Sequence, residues 1–299
     1  MRKDWIEFGP WLQQQLGCKV QKISVNAGLT CPNRDGTIGT GGCTFCNNQT
    51  FNPAYCQANK SITAQLEEGK AFFARKYPTM KYLAYFQAYT NTYAPLQRLI
   101  AMYEEALRVK DVVGLVIGTR PDCMPTELLD YLTGLNRRTF LLVEYGVESA
   151  NEETLLRINR GHTFETAKKA IHITAERGIK VGAHIILGFP WECKEELMRQ
   201  AKQIAELPLT TLKLHQLQII RGTMLAKEYE KNPWPVPTAL EYVRTVLEYI
   251  SYLPESLVLE RFVSQSPPEL VIAPQWGLKN HEFTELIKKA CKEGQRQAD

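Results

Sequence analysis

The chain has 299 residues, 44% of them hydrophobic, with 36 Lys and Arg against 32 Asp and Glu for a formal net charge of +4. This length holds one large α/β domain or two ordinary ones, and a composition without low-complexity tracts excludes a disordered or fibrous chain. No apolar run of eighteen residues occurs and no signal-peptide pattern opens the chain, so a cytoplasmic protein without a membrane span is expected; a charge of +4 admits an anionic partner such as RNA without arguing for one.

Short β-branched or apolar runs alternate with amphipathic helical stretches. In chain order, strands are predicted at 20–27, 82–89, 112–118, 139–147, 180–188 and 211–220, and helices at 61–77, 95–109, 126–136, 162–178 and 194–208. Ser61, Thr126 and Thr163 stand where N-caps are wanted, and Gly178 where a helix ends in a left-handed residue. The rhythm breaks at KNPWPVPT (231–238) and resumes with a helix at 239–252, a strand-like run SLVLERFVS at 256–264 and a closing helix near 281–293. Strands alternating with helices of this length imply parallel pairing through right-handed crossovers, and six such units favour a barrel, complete or partial. Residues 1–230 form its core, and 231–299 extend the same domain.

In parallel α/β folds, working groups collect at the carboxyl ends of the strands. The unusual polar residues fall there. The stretch CPNRDGTIGTGGCTFCNN (31–48) follows the first run, Tyr89-Thr90-Asn91-Thr92 the second, Thr119-Arg120-Pro121-Asp122 the third, Glu148-Ser149 the fourth and Gly188-Phe189-Pro190 the fifth. One site assembled from many strand ends accounts for this placement.

Eight cysteines in a chain expected to be cytoplasmic point away from a disulfide framework. Cys31, Cys43 and Cys46 are spaced C-x11-C-x2-C. Structural zinc would need a fourth ligand, for which Cys18 and Cys56 are the nearest thiols, neither in a second knuckle. A [4Fe–4S] cubane on three thiolates leaves one iron open to a substrate or cofactor. Gly36, Gly39, Gly41 and Gly42 would allow close backbone approach to such a cluster, or only make turns. Cys56, ten residues past Cys46, could reach the cavity, although a buried thiol is the simpler reading.

The cysteine stretch, TRPDC (119–123), GVESANEETLLRINRGHT (146–163) and AHIILGFPWE (183–192) together resemble the YhcC/YtqA-like family of radical S-adenosylmethionine (SAM) proteins, which is related to the radical SAM domain of the Elongator catalytic subunit. The usual C-x3-C-x2-C spacing of the superfamily is absent. The resemblance implies a partial (β/α)6 TIM-like barrel with a C-terminal extension. It also implies a [4Fe–4S] cluster on Cys31, Cys43 and Cys46, and SAM as the ligand of its open iron. By similarity to the oxygen-independent coproporphyrinogen oxidase branch, Glu148 stands where a residue binds the ribose hydroxyls, Arg160 where one pairs the methionine carboxylate, and Phe45 where an aromatic lies near the adenine. His184 occupies a position held there by Asp. Tyr89 and Asn91 replace a glycine-rich segment and are expected to face SAM or substrate. Gly118 stands where related groups carry a Glu.

The reaction implied is reductive cleavage of SAM to a 5′-deoxyadenosyl radical that removes a hydrogen atom from a substrate, with flavodoxin or ferredoxin as electron donor. Arg120, Asp122, His162, His215 and Arg221 are candidates to bind that substrate or exchange protons. With no acetyltransferase segment following, Elongator-type acetyl transfer is not expected of this polypeptide, and the absence of a second cysteine trio argues against sulfur insertion. The leading substrate is a tRNA wobble-uridine side chain, with Tyr55, Trp191, Trp234 or Trp276 as a platform for the flipped base. The alternatives are a small anionic metabolite and, from another class, a non-catalytic zinc-stabilised binding module.

Overall fold

The computed structural model describes residues 4–74 and 79–296. Among these, the elements in chain order are β1 (Ile6–Glu7), α1 (Phe8–Leu16), β2 (Val20–Val25), α2 (Ile62–Ala74), β3 (Lys81–Phe86), α3 (Leu96–Arg108), β4 (Val112–Thr119), α4 (Thr126–Asn136), β5 (Phe140–Glu148), α5 (Glu152–Arg157) and α6 (Phe164–Glu176). There follow β6 (Lys180–Leu187), α7 (Lys194–Ala205), β7 (Thr211–Gln216), β8 (Ile219–Ile220), α8 (Met224–Lys231), α9 (Ala239–Ile250), β9 (Val258–Arg261), β10 (Val271–Ala273) and α10 (Asn280–Arg296). The helix expected over 61–77 is seen to Ala74, and its predicted end lies outside the described residues.

Eight strands pair in the order β1-β9-β7-β6-β5-β4-β3-β2, and every pairing is parallel. The sheet curls into the expected partial barrel. Six β/α units supply β2 to β7. The run at 256–264 continues the sheet beyond β7 as β9, and the two-residue β1, which the sequence pattern did not reveal, pairs with β9 at the edge. The predicted strand at 211–220 divides: β7 stays in the barrel, while β8 turns away to pair antiparallel with β10.

Local signals place most boundaries. The side chains of Ser61 and Thr163 accept from Ala64 N and Thr166 N as N-caps, and Gly178 lies at φ +73° just past α6. Thr126 is not a cap. Pro125, with extended backbone, holds that position, and Thr126 is the first helical residue. Both faces of a parallel sheet are covered, so its strands are apolar nearly throughout. The main core lies between the sheet and the surrounding helices. A second cluster, Leu12, Leu83, Tyr85, Val116 and Leu142 with Phe8 and Trp11 against it, fills the barrel at the amino ends of the strands. Helix α1 thus plugs the bottom of the barrel and leaves the carboxyl ends open. Among the described residues no helix is long and apolar enough to cross a membrane.

Candidate active site

The long spacing from Cys31 to Cys43 is taken up by a closed loop. Arg34 N and Asp35 N donate to Cys31 O at 2.8 and 3.2 Å, Asp35 bridges Thr40, and Gly42 N donates to Asn33 O at 2.8 Å. The loop is then clamped to the segment that follows α5. Asn33 Nδ2 donates to Asn159 O at 2.5 Å, Asn159 Nδ2 to Gly42 O at 2.9 Å and Thr44 N to Ile158 O at 2.9 Å. Gly42 takes the left-handed φ of +80°, and a Cβ there would stand 2.7 Å from Arg34 Nε, so Arg34 would have to shift.

The three thiols line one cleft at the carboxyl ends of the strands. Donors point at their sulfurs: Arg160 Nη1 and Asn33 Nδ2 at Cys43 Sγ (3.6 and 3.8 Å), and Asn48 Nδ2 at Cys46 Sγ (3.7 Å). Arg34 binds the Cys46 carbonyl at 2.8 Å. Burial pushes the free Cys46 thiol up, the adjacent Cys43 adds to this, and Arg34 works against both. Such a donor set suits thiolates that carry charge, as ligands to a metal centre do. Among the described residues no three His, Cys, Asp or Glu side chains gather around a single-ion site.

Glu148 ends β5 beside a bulge. Gly146 pairs with His184 and Glu148 with Ile185, so Val147 is extra, and Glu148 takes φ +72°. This turns the Glu148 carboxylate into the cleft, 3.7 Å from Arg160. Arg160 also donates to Gly146 O, and a Cβ on Gly146 would lie 2.8 Å from Arg160 Nη2 and displace it. Burial raises the Glu148 pKa, and Arg160 and Arg120 counter it only in part. Arg160 retains a buried Nε without a partner.

Phe45, Tyr89, Glu148, Arg160 and His184 all line the cleft with the cysteines. Tyr89 lies at φ +64° and is 38% exposed. Asn91 is not among the lining residues. It is fully buried, with its Nδ2 on Gly118 O at 2.9 Å, and fastens β3 to β4 behind the cleft. Arg120 and His215 reach the cleft; Asp122 lies behind Arg120, forked to it at 2.9 and 2.8 Å. His162 is turned to Thr163 O, and burial and then Arg160 bring it down to about 3. Arg221 is exposed and binds Glu269 O.

The suggested base platforms lie elsewhere. Tyr55 packs on Phe72, Trp191 stacks on Phe189 beneath Arg157, Trp234 meets Tyr229, and Trp276 stacks on Phe283. The aromatic lining of the cleft is instead Phe45, Tyr85 and Tyr89. Cys56 faces Asn52 Oδ1 at 3.7 Å, outside the cleft, and burial pushes its thiol up to about 12.

Sequence reasoning missed the floor of the cleft. Lys22, Glu144, Lys213 and Glu260 close a ring of alternating charge: Lys22–Glu144 2.8 Å, Glu144–Lys213 2.5 Å, Lys213–Glu260 3.2 Å and Glu260–Lys22 2.7 Å. Burial alone would raise Glu144, but Lys213 and Lys22 outweigh it and hold the carboxylate well below its usual range. Lys213 Nζ also donates to Tyr85 Oη at 2.9 Å, and both lysines lie over the Tyr85 ring. His184 Nε2 meets Glu144 at 3.0 Å; burial and then Lys213 lower its pKa to about 4, so the ring is neutral and Nε2 is the donor. The missed signal was a charged residue in the interior of each of three parallel strands, Lys22 in VQKISV, Glu144 in FLLVEYGVE and Lys213 in TLKLHQ.

Comparison with known proteins agrees with this arrangement. The radical SAM superfamily profile matches residues 31–204, and the radical SAM C-terminal domain profile matches residues 209–293. The protein YtqA of Bacillus subtilis is 37% identical over 278 residues, covering 93% of this chain and 86% of YtqA. A tRNA uridine(34) acetyltransferase of Methanocaldococcus jannaschii is 26% identical over 194 residues, 62% of this chain and 35% of that one. Among solved structures, the archaeal Methanocaldococcus infernus Elp3 superposes with a TM-score of 0.70 at 20% identity, over 92% of this chain and 63% of that one. With its three cysteines on the open end of a partial barrel and profile matches along most of its length, the chain belongs to the radical SAM superfamily, whose cofactors are a [4Fe–4S] cluster and SAM.

Proposed function

We propose that this radical SAM enzyme removes a hydrogen atom from the side chain of a tRNA wobble uridine. The observation that carries the reading is the gathering of Cys31, Cys43 and Cys46 with Glu148, Arg160 and His184 around one cleft. The three thiols would hold the cluster, and their donors from Arg160, Asn33 and Asn48 fit that role. When bound, the cluster and SAM supply a 5′-deoxyadenosyl radical. Around them Glu148 would accept from the ribose hydroxyls, Arg160 would use its unpartnered Nε for the methionine carboxylate, and Phe45 and Tyr89 would border the adenine. Asn91 would act from behind, through the β3–β4 junction it fastens.

The tRNA assignment draws support from the relative whose name specifies tRNA uridine 34, and the net charge of +4 is compatible with it. The protein would work in the cytoplasm with flavodoxin or ferredoxin as reductant, and its barrel, residues 1–230, would bind the cofactors while 231–299 completes the cleft. Nucleoside mass spectrometry of tRNA from cells with and without the protein tests this. Loss of a wobble-uridine modification, restored by the wild-type gene but not by Cys43→Ala, is the expected result. An unchanged profile overturns the tRNA reading and favours a small anionic metabolite.

A further inference from the structure

The ring beneath the cleft contains two cations and two anions and so balances itself. Directly above it the balance fails. Strand β9 carries a bulge in which Leu212 pairs with Leu259 but Lys213 with Arg261, so that Glu260 is the extra residue. The bulge turns two consecutive side chains inward: Glu260 joins the ring, and Arg261 enters the cleft. Among the described residues Arg261 has no carboxylate within ion-pair distance, and its Nε is buried without a partner. Among the described residues its one side-chain contact within hydrogen-bond range runs from Nη2 to His215 Nδ1 at 3.4 Å.

Ser264 Oγ meets the same nitrogen, Nδ1 of His215. Its Nε2 is buried and has no partner in a residue only 8% exposed. Burial and then Arg261 push His215 well below its usual pKa, which keeps the ring neutral. The His184 ring lies 5.2 Å away, already committed to Glu144 through Nε2. The half-buried Arg261 and the buried His215 thus line the cleft side by side, each with one nitrogen that has no partner, Nε of the first and Nε2 of the second. Leaving a cation without a counterion is costly, and a planar anion of single charge in the cleft would pair the guanidinium.

We propose that Arg261 and His215 form a carboxylate-binding subsite that anchors the substrate of this enzyme on the C-terminal side of the barrel. The assignment rests on the cleft being the substrate pocket of a radical SAM enzyme. A single guanidinium with a neutral imidazole matches the single charge and planar fork of a carboxylate, whereas a phosphate monoester brings nearly two charges to one cation. The ring below prevents the lysines from competing, because each already faces two carboxylates. The anchor comes from β9, so the extension supplies a substrate contact as well as closing the sheet.

The test is a titration of the cluster-loaded, unreduced protein, saturated with SAM, followed by imidazole nitrogen–proton correlation spectra; five histidines make the resonances assignable. Acetate is expected to shift the His215 resonance saturably, while acetamide leaves it unmoved and inorganic phosphate binds more weakly. Arg261→Gln should weaken acetate binding by roughly 10- to 100-fold, the worth of one charge-assisted hydrogen bond, and Arg261→Lys should restore part of it. Equal shifts with acetamide, or undiminished acetate binding in Arg261→Gln, overturn the subsite. Acetate binding only when SAM is absent also overturns it, by assigning Arg261 to the SAM carboxylate. Because no turnover is needed, failure of the protein to cleave SAM would count against the reaction and leave the subsite standing.

Discussion

Replacing Glu144 by Gln removes one negative charge from the buried ring while keeping the shape of the side chain. Lys22 and Lys213 would then share Glu260 alone, and His184 would lose its carboxylate acceptor. The Glu144 and Lys213 side chains are 1% and 3% exposed, so water screens this imbalance poorly. Breaking a buried pair by removing one partner costs about 3–5 kcal/mol, and Glu144→Gln is expected to fall in that range. Adding Lys213→Met removes the cation left over, and the Lys22–Glu260 pair at 2.7 Å remains as a neutral unit. The double variant should therefore be more stable than the sum of the two single losses predicts, with a coupling energy of about 1–3 kcal/mol. Urea unfolding followed by tryptophan fluorescence and circular dichroism at neutral pH measures all four proteins of the cycle. A Glu144→Gln loss under about 1 kcal/mol, the scale of an exposed pair, would refute the reasoning, as would strict additivity in the double variant.

Cys43→Ala should abolish the brown colour of the anaerobically reconstituted cluster and SAM cleavage with it; a variant that kept both would remove Cys43 from the ligand set. The folded His184 has a pKa of about 4 against about 6.5 unfolded. The unfolded state therefore takes up the proton between these values, and the stability contributed by neutral His184 is complete above pH 6.5 and lost as pH falls through 4. The window amounts to up to about 3 kcal/mol, read from unfolding curves across it, and a protonated His184 at pH 6 by nitrogen chemical shift would contradict this. Gly146→Ala would drive a Cβ to within 2.8 Å of Arg160 Nη2 and 2.5 Å of Glu148 Oε1. It should weaken SAM binding by at least about tenfold, in line with displacement of one charged hydrogen bond, while the cysteines still load iron and sulfide. Unchanged SAM affinity in that variant would separate Arg160 from SAM.

The alternation of apolar runs with amphipathic helices determined the parallel sheet and its crossovers, because strand and helix periods are local properties of the chain. The same local character makes the Ser61 and Thr163 caps and the cysteine spacing legible, and the combined segments around them identify the superfamily. Strand-end position also indicated that Arg120 and Glu148 belong to one region with the cysteines, and the family resemblance added Arg160 and His184. What sequence could not decide is which polar residues of a strand end turn toward the cleft: Tyr89 lines it and Asn91, two residues on, does not, since that depends on how β3 and β4 are tied. Nor could it show that Lys22, Glu144, Lys213 and Glu260, separated by up to 238 residues, meet inside the barrel. Each looks like an isolated anomaly in its own strand, and only closure of the sheet, with a one-residue bulge in β9, brings them into a neutral ring and leaves Arg261 above it without a counterion. Charge neutralisation across a barrel is a property of the tertiary structure, because it depends on distances that no segment of the chain contains.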